Sequence, residues 1–334
     1  MAKPYVRLLF LALLGCGFAP LATVAVSAPQ WKQPLIYHPL LLPIAAGLLV
    51  AAVAALLLRH LEPSLEQNAR EEAAFLETFP LRYVDLAIFG SAALSLFLEL
   101  AIVRWQATVF EFFAFYKNFS LLACFAGLGL GYAVAGRKSI PLVLTIPLLC
   151  WQFVLMIAMR YGMTEVQLNT LRVLPFSEQL NMGIFAAPKL SDAAQTYLVI
   201  AVIFFLTALA FIPIGQLCGA LMRRRENLRA YGLNLLGSLA GVLVMFIVSA
   251  FWTPPVVWFI IAFGSLLLFS VRKWRTTLLS AGSATVALIV LAWPVNPMWQ
   301  RIYSPYQLVE IGHDEITGLM QIRAAGHYYQ RVND

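Results

Sequence analysis

Long apolar segments constrain this chain more than any other feature. A helix rises 1.5 Å per residue, so about 20 apolar residues cross the roughly 30 Å of hydrocarbon in a bilayer. None of the segments alternates polar and apolar residues as barrel strands do. We therefore predict an all-α, multi-pass, permease-like transmembrane bundle. About nine segments qualify, approximately residues 5–27, 35–58, 84–104, 118–136, 140–159, 196–221, 231–252, 255–271 and 276–295.

Composition supports this prediction. Hydrophobic residues make up 61% of the 334 residues and charged residues only 12%, with a mean hydropathy of +0.80. A soluble chain carries about 25% charged residues, because water must wet its surface. The net charge of +7 comes from short clusters beside apolar runs, without interleaved aromatic residues. These clusters exclude a nucleic-acid partner and indicate membrane topology.

The cysteines and histidines predict neither a disulfide framework nor a metal site. The four cysteines lie singly inside apolar segments, without a CxxC pair, and the four histidines are scattered. Zinc and redox sites require closely spaced ligands.

The basic clusters give an orientation. They follow the fourth, sixth and eighth segments, at residues 137–138, 223–229 and 272–275, and so fall on one side. The positive-inside rule makes that side cytoplasmic, together with the N-terminus. We expect a bacterial-type inner membrane.

The N-terminal segment, residues 1–30, has two interpretations. Its first apolar stretch ends at Cys16, close to a lipoprotein cleavage box. The apolar run continues to Val26, however, which favours an uncleaved signal anchor or first transmembrane helix.

Three further regions complete the organisation around a transmembrane domain at 31–295. Residues 59–83 carry five glutamates beside an apolar stripe and predict an amphipathic cytoplasmic segment. Residues 160–194 predict an external loop. Residues 296–334 alternate apolar and polar residues between turns, which predicts β-hairpins with three short strands. So few strands need a surface to pack against.

Polar residues within the apolar segments are candidate site residues. An unpaired charge in a bilayer is costly, so Glu99 must face protein or water. Arg104 lies five residues further and is a poor same-face partner for it. A buried latch between helices is the favoured interpretation of Glu99, with a substrate or proton site as the alternative. Gln216, near Pro213, and Asn234 join Glu99 in a hypothetical transport path.

Glycines four residues apart predict close helix packing. Gly127 and Gly131 form one pair, and Gly237 and Gly241 form another. Within a bilayer, small residues on one face let two helix backbones approach each other. A nucleotide-binding loop is a poor alternative, because neither pair follows a soluble strand.

The order of several motifs resembles the membrane-bound spermidine synthase-like family over roughly residues 84–334. The motifs are SAALSLFLELAIVR at 91–104, FAGLGLGYAVAGR at 125–137, PIGQ at 213–216, YGLNLLGSLAG at 231–241, Pro254, Pro255 and Trp258, followed by SPYQ at 304–307 and YQ at 329–330.

This resemblance implies that residues 296–334 begin an aminopropyltransferase domain. In such proteins that domain binds S-adenosylmethionine or its decarboxylated form and transfers an aminopropyl group to putrescine. Gln307 and Gln330 match glutamines that reach the ligand pocket. The nucleotide loop and catalytic aspartate would lie beyond Asp334, so we expect no catalytic residue and no activity from this chain alone.

The expected function is therefore to anchor or regulate an aminopropyltransferase-type domain. The expected partners are the lipid bilayer, a catalytic domain or subunit that packs on residues 296–334, and a second copy in a homo-oligomer. The alternatives are a transporter for polyamines or another small polar solute, and a structural subunit of a membrane assembly. Nine crossings from a cytoplasmic start leave the tail outside, whereas S-adenosylmethionine is cytosolic, so the side of the tail stays open.

Overall fold

A computed structural model describes residues 5–16, 41–110, 113, 117–136, 139–162, 190–270, 274–293, 299–313, 320–324 and 327–332. These residues form mainly helices, followed by a small sheet, so the helical prediction and the C-terminal β prediction are confirmed. Most of the predicted external loop, the N-terminal segment after Cys16 and the basic residues Arg137, Lys138, Arg272 and Lys273 lie outside the described residues.

The helices in chain order are α1 Tyr5–Cys16, α2 Leu41–Thr78, α3 Leu81–Val109, α4 Lys117–Val134, α5 Thr145–Gly162, α6 Leu190–Met222, α7 Asn227–Ala250, α8 Pro255–Phe269 and α9 Trp274–Ala292. A 3₁₀ turn, Leu142–Leu144, precedes α5. The strands are β1 Trp299–Tyr303, β2 Leu308–His313, β3 Met320–Ala324 and β4 His327–Val332.

Among the described residues, three helical stretches are long and apolar enough to cross a membrane. They are Leu81–Val109, Leu198–Met222 and Asn227–Ala250. Other apolar helices are shorter, and α8, predicted at 255–271, has only 15 residues. The predicted amphipathic segment is not a separate element, because α2 continues through Pro63 to Thr78.

Glycines let two pairs of parallel helices, α4 with α6 and α3 with α7, pack closely. Gly127 and Gly131 of α4 lie against the carbonyl oxygens of Ala208 and Ile212 of α6. Because both numbers rise by four, the two helices run in the same direction. The contacts are between backbones, as expected for small residues on a packed helix face.

The second pair has the same arrangement. Gly237 and Gly241 of α7 lie against the carbonyl oxygens of Phe89 and Ala93 of α3. α3 and α6 also pack against each other, α5 packs on α6, α8 packs on α3, and α9 packs on α5 and α8. A buried cluster fills the space between them, with the largest fully buried side chains at Phe153, Phe211, Trp258 and Phe259.

Four antiparallel strands, rather than the predicted three, form the sheet in the order β1-β2-β3-β4. The additional strand arises because the chain turns between Tyr303 and Leu308, where the Ser304 hydroxyl donates to the Gln307 carbonyl oxygen at 2.7 Å. This turn converts one predicted strand into a hairpin, with Arg301 opposite Glu310.

The glycine contacts yield a matched prediction within α4. We expect Gly131→Ala to lower the free energy of unfolding by about 1–3 kcal/mol, because the added methyl group would overlap the backbone carbonyl oxygen of Ile212 and the backbone nitrogen of Gln216. Gly129→Ala is the control, since its methyl group would have no atom of the described residues within 4 Å. Thermal unfolding in detergent measures both, and equal melting temperatures would contradict the packing.

Candidate functional site

Arg104 joins the helical bundle to the sheet. Its guanidinium donates to the hydroxyl of Ser249 at the end of α7 and, at 2.8 Å, to the carbonyl oxygen of Ser304 in the first hairpin turn. The same guanidinium lies over the Trp258 ring, 4.7 Å from its centroid. One side chain of α3 thus contacts α7, α8 and the sheet.

The turn between α7 and α8 positions Trp258. Thr253 donates to the Val248 carbonyl oxygen at 2.8 Å and accepts from the Trp258 indole at 2.9 Å. Pro254 caps α8 and Pro255 begins it, at positions where a backbone N–H would have no partner within the helix. The ring is thereby fixed between Arg104 and Tyr303, whose ring centroid is 6.1 Å away.

The first strand makes a second connection to α3. Arg301 forms a 2.9 Å ion pair with Glu310 on the opposite strand, and both side chains are largely buried. The Arg301 guanidinium also donates to the Thr108 carbonyl oxygen at 3.4 Å, near the end of α3. The sheet therefore packs at the C-terminal end of α3, which provides the surface that the sequence required.

The opposite end of α3 lies beside basic residues that follow α6 in the chain. Arg225 and Arg229 both pair with Asp85, and Arg225 lies at 2.6 Å. Asp85 and Arg104 are nineteen residues apart in one helix, or about 28 Å, close to the thickness of bilayer hydrocarbon. The sheet therefore lies near one end of α3, and Arg225 and Arg229 lie near the other.

The two glutamines implied by the resemblance belong to the sheet. Gln307 lies in the β1–β2 turn with an exposed side chain, and its backbone is held by Ser304. Gln330 lies in β4, where its backbone pairs with Ile322 of β3. Two strands separate the two glutamines.

Gln216 of α6 hydrogen-bonds to the backbone on both sides of the connection between α4 and α5. Its side-chain oxygen accepts from the Ile140 amide at 2.6 Å, and its side-chain nitrogen donates to the Val134 carbonyl oxygen at 3.4 Å. It also lines a cleft of about 470 Å³ together with Glu72, Glu77 and Arg223. Gln216 thus fixes the path between α4 and α5 beside this cleft.

Asn234 also bonds to a neighbouring helix. Its side-chain oxygen accepts from the Tyr132 hydroxyl at 3.2 Å. Because Gly237 is level with Phe89, Asn234 lies about thirteen residues, or about 20 Å, from the level of Glu99. The hypothetical transport residues therefore do not form one cluster.

Glu99 lies inside the bundle on a different side of α3 from the Arg104 junction. It is 1% exposed, and within the described part of the chain its Oε2 atom has no hydrogen-bond partner. Protein therefore surrounds this carboxyl.

Gln106 and Gln152 were not among the predicted site residues. Their side-chain nitrogens donate to the Thr207 hydroxyl at 3.1 and 2.9 Å. The sequence signal is the presence of two amides in otherwise apolar segments. Their convergence on one hydroxyl required the tertiary structure.

Comparison of the chain with protein-family models, with curated proteins and with solved structures gave no match.

The Arg104 contacts predict loosening of the sheet. We expect Arg104→Gln to cost about 2–4 kcal/mol, because it removes two charge-assisted hydrogen bonds and the contact with Trp258. Amide hydrogen exchange across 299–313 should become at least tenfold faster, with little change in α4. Arg82→Gln, at the other end of α3, is the control. Unchanged exchange in the sheet would show that Arg104 does not hold it.

Glu72 predicts a pH dependence of stability. Burial raises the pKa of its carboxyl from 4.5 to about 7, and the 2.9 Å bond from the Leu142 amide only partly opposes this. Between pH 4.5 and about 7 the native state keeps the Glu72 proton, whereas the unfolded state loses it. The protonated carboxyl therefore contributes its full stabilisation below pH 4.5, and this stabilisation is lost as pH rises through about 7.

We therefore expect the free energy of unfolding of the wild type to fall by on the order of 3 kcal/mol between pH 5 and 8 because of Glu72. This decrease should be absent in Glu72→Gln. Melting temperatures of the wild type and the variant across this range measure it. Glu77→Gln, at an exposed position of the same helix, should retain the wild-type slope. Parallel curves for the wild type and Glu72→Gln would contradict the assignment.

Proposed function

We propose that this chain is the membrane domain of a spermidine synthase-like protein, and that its bundle anchors the first strands of an aminopropyltransferase-type domain. The observation that carries the proposal is the Arg104 junction, which fixes the first hairpin turn to three helices. A tail without a domain function would not need a partly buried guanidinium at its attachment.

Membrane insertion is part of the proposal. The outer face of α7 is apolar and exposed along its length, and the spacing of Asp85 and Arg104 on α3 fits one bilayer. Water would make such a face unstable, whereas lipid chains would cover it. The exposed residues of this face include Leu235, Leu239, Leu243, Phe246 and Ile247.

The side of the sheet follows from the same reasoning. The positive-inside rule assigns the Arg225 end to the cytoplasm, and the sheet packs at the opposite end of α3. We propose that the domain faces away from the cytoplasm, and that its nucleoside ligand reaches it from that side.

Gln307 is well placed for a ligand contact in such a domain. Ser304 fixes its backbone, while its side chain is exposed at the hairpin turn. Ordering the backbone lowers the entropy cost when the side chain binds a ligand.

The transport alternative is less well supported. A path needs contiguous polar groups, whereas Asn234 and Gln216 bond to structural partners near the basic end and Glu99 lies about 20 Å away from Asn234. The anchoring function accounts for more of the observed contacts.

The test uses sealed membrane vesicles that carry the natural gene product, with whatever residues follow Asp334. We expect saturable binding of radiolabelled decarboxylated S-adenosylmethionine, added from the side away from the cytoplasm, and displacement by unlabelled ligand. Gln307→Ala should weaken binding about tenfold, because one hydrogen bond to a charged or polar ligand contributes about 1.4 kcal/mol.

Gln67→Ala is the control, since Gln67 is exposed on α2. Binding no greater than in vesicles without the protein would overturn the proposal. Binding only from the cytoplasmic side would overturn the orientation and leave the anchoring function in place.

A further inference from the structure

Four buried side-chain atoms in the described part of the chain have no hydrogen-bond partner. They belong to Glu99 and Gln106 of α3, Ser120 of α4 and Gln152 of α5, and each residue is at most 1% exposed. Native proteins pair nearly all their buried polar groups, so each such atom calls for an explanation. Three of the four atoms are carboxyl or amide oxygens.

Thr207 determines which way the two glutamines point. Its hydroxyl donates to the Ile203 carbonyl oxygen at 2.8 Å and accepts from the side-chain nitrogens of Gln106 and Gln152. A hydroxyl has one donor and two acceptor lone pairs, so Thr207 is saturated. A flipped glutamine would present its oxygen to an oxygen without a free proton. Both amide oxygens are therefore held as acceptors.

The carboxyl of Glu99 lies on the same face of α3 as Gln106. The two residues are seven apart, or two helical turns and about 10 Å along the axis. Ser120 lies near the level of Gln106, because the ring of its neighbour Phe119 packs on Phe204 of α6, three residues before Thr207. Unpaired polar atoms thus extend from the sheet end of the bundle towards Glu99.

We propose that this cluster binds a monovalent cation, alkali metal or ammonium, with the oxygens of Gln106 and Gln152 as ligands and Glu99 as the compensating charge. Amide and carboxylate oxygens accept but do not donate, so they suit a cation or an N–H donor and not an anion. A single carboxylate balances one positive charge, whereas calcium and magnesium sites use several oxygen ligands including carboxylates.

The proposed cation site stands independently of the anchoring function. Binding requires neither the sheet nor a ligand of the attached domain, because all the groups lie on α3, α4, α5 and α6. Intramembrane ionisable residues commonly mark ion or substrate sites.

The test measures thermal unfolding of the purified protein in detergent at constant ionic strength. Choline chloride is replaced stepwise by lithium, sodium, potassium or ammonium chloride. A ligand that binds the folded state raises the melting temperature with the logarithm of its concentration. We expect a rise of a few degrees for at least one small cation, and radiolabelled sodium or rubidium should bind at about one ion per chain.

Two variants and a control assign the site. Glu99→Gln keeps the shape and removes the charge, and Gln106→Leu removes one oxygen ligand. Each should melt at a temperature that no longer depends on the cation and should weaken cation binding at least tenfold. Gln67→Leu, at an exposed position, should behave as the wild type.

Equal melting of the wild type in choline and in all four small-cation chlorides, with no saturable ion binding, would overturn the proposal and leave water as the partner of these atoms. Unchanged cation binding in a folded Glu99→Gln protein would also overturn it. The wild-type measurements can overturn the proposal by themselves, so the proposal stays testable even if a variant fails to fold.

Discussion

The close approach of helix backbones in two parallel pairs is the constraint on which the rest of the structure depends. Glycines at 127 and 131 let α4 touch α6, and glycines at 237 and 241 let α7 touch α3. Without side chains between the backbones, a small sliding of one helix would bring a Cβ against a carbonyl oxygen. The glycines therefore fix the axial position of each helix as well as the distance between helices.

This axial position determines what α3 presents on its sides. One side holds Arg104 against Ser249 and Trp258, where the hairpin turn at Ser304 is captured. Another carries Gln106 to the Thr207 hydroxyl of α6. A shift of one turn, about 5 Å, would break both arrangements at once. The α7 glycines thus fix the level of Arg104 against Ser249, whereas Gln106 reaches Thr207 through direct packing of α3 on α6.

Much of the helical architecture was predictable from the sequence. Apolar runs of about 20 residues located the helices, and glycine spacing identified the faces that pack, because both depend on local periodicity. Helix ends were less predictable, as the continuation of α2 through Pro63 to Thr78 shows. The hairpin turn at Ser304–Gln307 was also missed, since a hydroxyl-to-backbone bond leaves little trace in an apolar pattern.

The sequence by itself determined that the chain is helical and apolar, and that the tail forms strands that need a surface. Only the tertiary structure decided that Arg104 provides that attachment, that Gln216 and Asn234 bond to structural partners, and that Gln106 and Gln152 converge on Thr207. The physical reason is that hydropathy and spacing act within one segment, whereas these hydrogen bonds join residues 55 to 200 positions apart, whose distances depend on how the helices pack.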